Sequence, residues 1–217
     1  MILADCMGDA RHFCHGLDIG CGTGQSSLAL ADFCKQVTGI DPSEEMIRKA
    51  MTHPAISYLP YDGRQFAFPA YTFDSITFAG SLIYAKSQAL LDELIRISRP
   101  GVVILVYDFE VQLQPLLSAL AIQGSPVENH YDHAVDFSGL STDNLQLVFK
   151  KDGVLSLSAG HVQVAHFLMS HPHVCHALTI KRRPDDLWTQ LLNRLQKEFS
   201  GKILLSVNTY LTKYARL

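Results

Sequence analysis

Short apolar runs alternate with amphipathic stretches over the first 110 positions. Gly16–Ile19 is a short run closed by a glycine cluster. Gln25–Cys34 follows with Leu28, Leu30, Ala31 and Phe33 at helical spacing. Val37–Ile40 reads as a second strand. Ser43–Met51 reads as a helix that Ser43 caps, with Glu44 and Glu45 in the first turn where the helix dipole favours them. Ile56–Leu59 and Asp74–Phe78 read as further strands. Gln88–Ser98 carries Leu90, Leu91, Leu94 and Ile95 on one helical face, and Arg99-Pro100-Gly101 punctuates its end. Val102–Tyr107 is continuously apolar, as a strand buried on both faces must be. Strands alternating with helices predict a parallel sheet covered by helices.

Beyond Asp108 the pattern loosens. Val111–Ile122 reads as a helix and Gly124–Asn144 as polar loop. Val154–Ala159 alternates weakly, as a strand would. Val162–Ser170 and Asp185–Phe199 read as helices, and Ile203–Tyr214 as a long strand or two short ones. No repeat, low-complexity tract or separating linker is visible. The expectation is one domain over 1–217, with a loop-rich insertion over 109–150 that covers a site at the carboxyl edge of the sheet.

Composition narrows the class. Of 217 residues, 47% are apolar and 18% charged, which suits a globule with a full core rather than a disordered or fibrous chain. The net charge of -3 provides no basic excess to neutralise a phosphate backbone, so nucleic acid is not the expected partner. Cys6, Cys14, Cys21, Cys34 and Cys175 show no CxxC spacing, which fits a reducing compartment and an expected cytoplasmic setting. No apolar run reaches the length of a membrane span.

The segment that carries chemistry is Asp18-Ile19-Gly20-Cys21-Gly22-Thr23-Gly24, between the first strand and the first helix. Glycines there permit a sharp turn and close ligand approach beside a helix N-terminus. The dinucleotide fingerprint needs its third glycine one residue later, where this chain has Gln25. Asp18 repels phosphate and suits an ammonium group. Asp41 ends the second strand, where a carboxylate can take ribose hydroxyls, and Asp62 follows the third. Three carboxylates along one sheet edge match a ligand bearing an ammonium, a ribose and an adenine amine.

This arrangement resembles the class I S-adenosylmethionine-dependent methyltransferases. The matching segments are Asp18–Gly24, Gly39-Ile40-Asp41-Pro42-Ser43 with Met46, Asp62-Gly63, Phe73-Asp74-Ser75-Ile76 and Arg99-Pro100-Gly101. The C-terminal half is similar in element order to small-molecule methyltransferases of the ubiquinone/menaquinone and trans-aconitate type. The resemblance implies a Rossmann-like, doubly wound α/β fold. Its seven-stranded sheet would be mostly parallel, with an antiparallel last strand over Ile203–Tyr214. It also implies S-adenosyl-L-methionine as cofactor. Asp18, Gly20, Cys21, Gly22, Thr23 and Gly24 would hold the methionine part and Asp41 the ribose. Ile40 and Met46 would flank the adenine, Asp62 and Gly63 would meet its amine, and Ala79, within Phe78–Ser81, would face the sulfonium. Fifteen residues precede Gly16, fewer than the family usually has. Either the lid over the cofactor is missing, or it comes from the insertion or from a partner chain, as in a homodimer.

Methyl transfer from a sulfonium needs alignment and a dry pocket more than a catalytic constellation. Tyr84, His130, His133 and His161 are the candidate bases. Cys21 has no partnering base and reads as a small loop residue. His171-Pro172-His173-Val174-Cys175-His176 matches no common zinc spacing, so no metal is expected. The first reading is a methyltransferase acting on a small, partly hydrophobic molecule through an oxygen, carbon or nitrogen nucleophile. The second is a catalytically weak S-adenosylmethionine-binding protein or partner subunit. A nicotinamide-dependent oxidoreductase is disfavoured by Asp18 and by the early third glycine.

Overall fold

The computed structural model describes residues 2–7, 13–61, 66–122, 131–171, 174–175 and 187–217. Seven strands, β1 (Phe13–Ile19), β2 (Cys34–Asp41), β3 (Ile56–Pro60), β4 (Phe73–Ala79), β5 (Ser98–Val111), β6 (Leu145–Ala159) and β7 (Ile203–Arg216), form one sheet in the order β3-β2-β1-β4-β5-β7-β6. The helices are α1 (Ile2–Met7), α2 (Gln25–Ala31), α3 (Glu44–Arg48), α4 (Leu82–Ala85), α5 (Gln88–Ile97), α6 (Gln114–Ala119), α7 (His161–Met169) and α8 (Leu187–Glu198). Among the described residues no helix is long and apolar enough to cross a membrane.

Strands β1 to β5 are parallel. The seventh is antiparallel to its neighbours. Gln112 N–H donates to the Ser206 carbonyl (2.9 Å) and Leu217 N–H to the Asn144 carbonyl (3.1 Å), so residue numbers rise along one strand as they fall along the next. This is the expected mostly parallel, Rossmann-like sheet with an antiparallel final strand. The strand order reverses between β1 and β4, and in such sheets ligands bind outside the carboxyl ends at that reversal. Register brings the carboxyl ends level: Ile19 lies beside Ile40 and Phe78, Asp41 beside Pro60, and Ala79 beside Tyr107.

The chain divides into two compact units. The first comprises 1–108, 132–152 and 210–217, and the second 109–131 and 153–209. In the first unit, the apolar run of β5 alternates between two cores. Val102, Ile104 and Val106 join Leu17, Ile76, Phe78 and the α5 residues Leu90, Leu91, Leu94 and Ile97 on one face. Leu105, flanked by Val103 and Tyr107, joins Leu30, Cys34 and Val37 on the other. The second unit has its own core of Leu116, Leu117, Val164, Leu168, Leu191, Leu195, Ile203 and Leu205.

Two segments differ from the sequence expectation. Strand β5 continues to Val111, so α6 starts only at Gln114. Alternation of Tyr107, Phe109 and Val111 with Asp108 and Glu110 is a strand pattern that overrides the helical reading. Strand β6 begins at Leu145, ahead of the expected Val154, and most of its residues are exposed. An edge strand with one neighbour carries little periodic signal.

Candidate functional site

The glycine loop leaves β1 and bends toward β2. The N–H groups of Gly20 and Cys21 both donate to the Ile40 carbonyl, at 2.8 and 3.0 Å. Gly24 sits at φ +88°, and a Cβ there would lie 2.2 Å from the Tyr58 hydroxyl oxygen. Both the conformation and the space therefore require glycine. Tyr58 also donates its hydroxyl to the Met51 carbonyl (3.0 Å), while Met51 N–H donates to the Thr23 carbonyl (3.0 Å). The loop is thus pinned from β3 and from the chain after α3. Thr23 takes part through its backbone.

Asp41, the last residue of β2, is held from both sides. Its Oδ2 accepts from Gly22 N–H and its Oδ1 from Ser43 N–H, each at 2.9 Å. Gly22, at φ +53°, has nothing within 4 Å of where a Cβ would stand. The carboxylate is fixed in orientation, and each oxygen retains about one further acceptor position.

Asp18 is fully buried at the end of β1. Its Oδ2 accepts from Ser26 and Ser27 Oγ (both 2.6 Å) and its Oδ1 from Thr77 Oγ1 (3.1 Å). Burial pushes its carboxyl above the ordinary range, against the pull of those three hydroxyls, and the nearby Asp41 charge adds to the rise. Asp18 is the anchor beneath the loop rather than a wall of the cavity above it.

That cavity has a volume of about 530 Å³, within the range of ligand sites. Ile19, Gly20, Ile40, Asp41, Ala79 and Ser81 form its floor, and Tyr61, Tyr84, Leu90 and Glu93 are among its walls. The Ser81 hydroxyl donates to the Ile19 carbonyl and holds the segment after β4 against the loop. A second cavity of about 450 Å³ is lined by Ile40, Pro42, Leu59, Tyr61, Phe66 and Phe68, among others, and shares Ile40, Pro42 and Tyr61 with the first. Met46, on α3, is exposed and lines neither. Asp62, Gly63 and His130 lie outside the described residues. Sequence reasoning missed Tyr61 and Glu93. An aromatic directly after β3 was a signal for the first. The second sat unremarked on α5, close to its apolar positions.

The other candidates separate. His133 Nδ1 is 2.8 Å from Asp108 Oδ2, and its ring stacks on Tyr210 at 5.9 Å. His161 Nε2 is 2.9 Å from the Phe199 carbonyl oxygen, within the second unit. Tyr84 lines the cavity with most of its surface exposed. Cys21 is buried, and burial together with the Asp18 and Asp41 charges pushes its thiol up to about 12. A thiol so held has almost no thiolate at neutral pH.

A fit to an adenosine-bearing ligand can be tested on these atoms. The floor offers a carboxylate with two open acceptor positions, apolar flanks at Ile40 and Pro42, and an anionic foundation at Asp18. Among the described residues the hydrogen-bond partners of Asp18 are hydroxyls, with no cation. This suits hydroxyl donors, a flat apolar ring and positive charge, and it suits a phosphate poorly.

Comparison with known proteins agrees. A family model described as "Methyltransferase domain" matches residues 17–101. A demethylmenaquinone methyltransferase of Clavibacter sepedonicus is 31% identical over 106 residues, covering 46% of this chain and 43% of that protein. A cypemycin N-terminal methyltransferase of a Streptomyces species is 33% identical over 93 residues, covering 39% of this chain and 38% of its own. The chain thus spans less than half the length of either relative. A solved structure from Anaeromyxobacter dehalogenans, assigned to the type II methyltransferases, superposes with a TM-score of 0.69 at 21% identity. It covers 99% of this chain and 94% of that one, and so shares the fold.

Proposed function

We propose, from the premise that residues 17–101 belong to the class I S-adenosylmethionine-dependent methyltransferases, that the protein transfers a methyl group from S-adenosyl-L-methionine to a small-molecule acceptor. The cofactor supplies a methyl group on a cationic sulfur, already activated for displacement. The chain's own part is to bind, align and keep water out.

One observation carries the reading: Asp41, clamped by Gly22 and Ser43, presents two open acceptor positions at the cavity floor. These would take the two ribose hydroxyls. Ile40 would flank the adenine from the β2 side. Asp62 and Gly63 are kept as its partners on the resemblance alone, as is Met46 on its outer side. Gly20 and Gly22–Gly24 would let the methionine part approach the backbone. Asp18 would act on its ammonium from below, through charge rather than contact, because its oxygens already serve three hydroxyls. Ala79 would border the reacting carbon. Effective molarity from such alignment is worth on the order of 7 kcal/mol or more.

The apolar walls Ile40, Leu90 and Tyr61 support a partly hydrophobic acceptor. Where that acceptor arrives protonated, Tyr84, which lines the cavity, is the candidate base. The experiment is incubation with methyl-labelled S-adenosylmethionine and a cell extract, followed by size separation. Label in the small-molecule fraction is expected. Label only in protein or nucleic acid would overturn the acceptor class. No label, with cofactor binding intact, would favour a non-catalytic binding subunit.

A further inference from the structure

We propose that Arg96 and Glu93 of α5 form a positioning clamp that fixes the Phe66–Phe68 wall of the second cavity, and that this clamp sets the affinity for the adenosine part of the cofactor. The inference rests on the reading of the site given above.

The two side chains pair in fork geometry. Arg96 Nε donates to Glu93 Oε2 at 2.7 Å and Nη2 to Oε1 at 2.6 Å. A pair of this spacing on a helix face, left to solvent, contributes little. Here it does more than pair. Arg96 Nη2 also donates to the carbonyls of Phe66 (3.2 Å) and Phe68 (2.8 Å). One ion pair therefore grips the backbone of a short segment through two of its carbonyls.

That segment belongs to no helix or strand, so no ladder holds it. Its side chains matter to the site. Phe66, Ala67 and Phe68 line the second cavity together with Ile40 and Pro42. Phe66 packs on Tyr61 at 4.6 Å, and Tyr61 borders both cavities. Glu93 itself lines the first cavity. Loss of the clamp would free the carbonyls of Phe66 and Phe68 to turn to water and let the aromatic wall move, while Asp41 and the glycine loop keep their own hydrogen bonds. Lysine cannot replace the arginine, because a single ammonium does not span a carboxylate and two carbonyls in one plane.

The test is calorimetric titration of S-adenosylhomocysteine and of 5′-methylthioadenosine into the full chain, wild type and Arg96→Met, well below each protein's melting temperature. Both ligands carry adenosine, so the variant should bind both about tenfold or more weakly, and to the same degree. Arg96→Lys should recover little of that loss. Unchanged affinities with a lowered melting temperature would reduce the pair to a structural role and overturn the proposal. If Arg96→Met does not fold, Glu93→Gln keeps the shape and removes the charge. It should still weaken both ligands several-fold, and wild-type affinity in it would overturn the proposal. Failure of the wild type to bind either ligand would instead overturn the reading of the site on which the proposal rests.

Discussion

At the scale of single residues, Asp18 is the most consequential side chain. A carboxylate without a cation, surrounded by Ser26, Ser27 and Thr77 hydroxyls, is costly to keep charged. Burial raises its folded value above the unfolded one, so the folded state holds the proton more tightly. Stability must then fall as pH rises from the unfolded value through the folded one. Asp18→Asn removes that dependence. Its melting temperature should gain on the wild type as pH rises above the ordinary carboxylate range, and parallel curves by calorimetry would contradict this account. The position of Asp18 and Asp41 at strand ends was legible in the sequence. What each carboxylate touches was not, because Ser26, Ser27 and Thr77 come from two other elements. Cys21, read as a small loop residue, is buried in the glycine loop.

At the scale of elements, the tight joint is between the glycine loop and β3. Gly24→Ala forces a side chain into a left-handed backbone against the Tyr58 ring, with its nearest atom at 2.2 Å. It should cost about 2 kcal/mol or more in urea unfolding. A loss below about 0.5 kcal/mol would mean that the joint is loose. The buried strands were readable because β5 has apolar residues for both cores. Strand β6 was only half readable. Lys150-Lys151-Asp152-Gly153 interrupts it, and an edge position exposes the rest. The start of α6 was obscured because Val111 fits a strand end as well as a helix start.

At the scale of the whole molecule, each unit has a core of its own. Leu191 is fully buried in the second. Leu191→Ala should cost about 2–5 kcal/mol in denaturant unfolding, and a change under about 1 kcal/mol would show that this core contributes little. The division into units is hard to read in composition, because three of the four crossings between them lie inside β5, β6 and β7. The strand-helix rhythm before Asp108 and the glycine motif, by contrast, were enough to anticipate a parallel sheet with a ligand loop at its carboxyl edge.

The most direct test of the account is isothermal titration of S-adenosylhomocysteine into the wild-type chain and into Asp41→Ala. Two charge-assisted hydrogen bonds at about 1.5–3 kcal/mol each predict micromolar binding by the wild type and a loss of a hundredfold or more in the variant. Equal affinity in the two proteins, or no binding by the wild type, would contradict the assignment of Asp41 and of the cavity above it as the cofactor site.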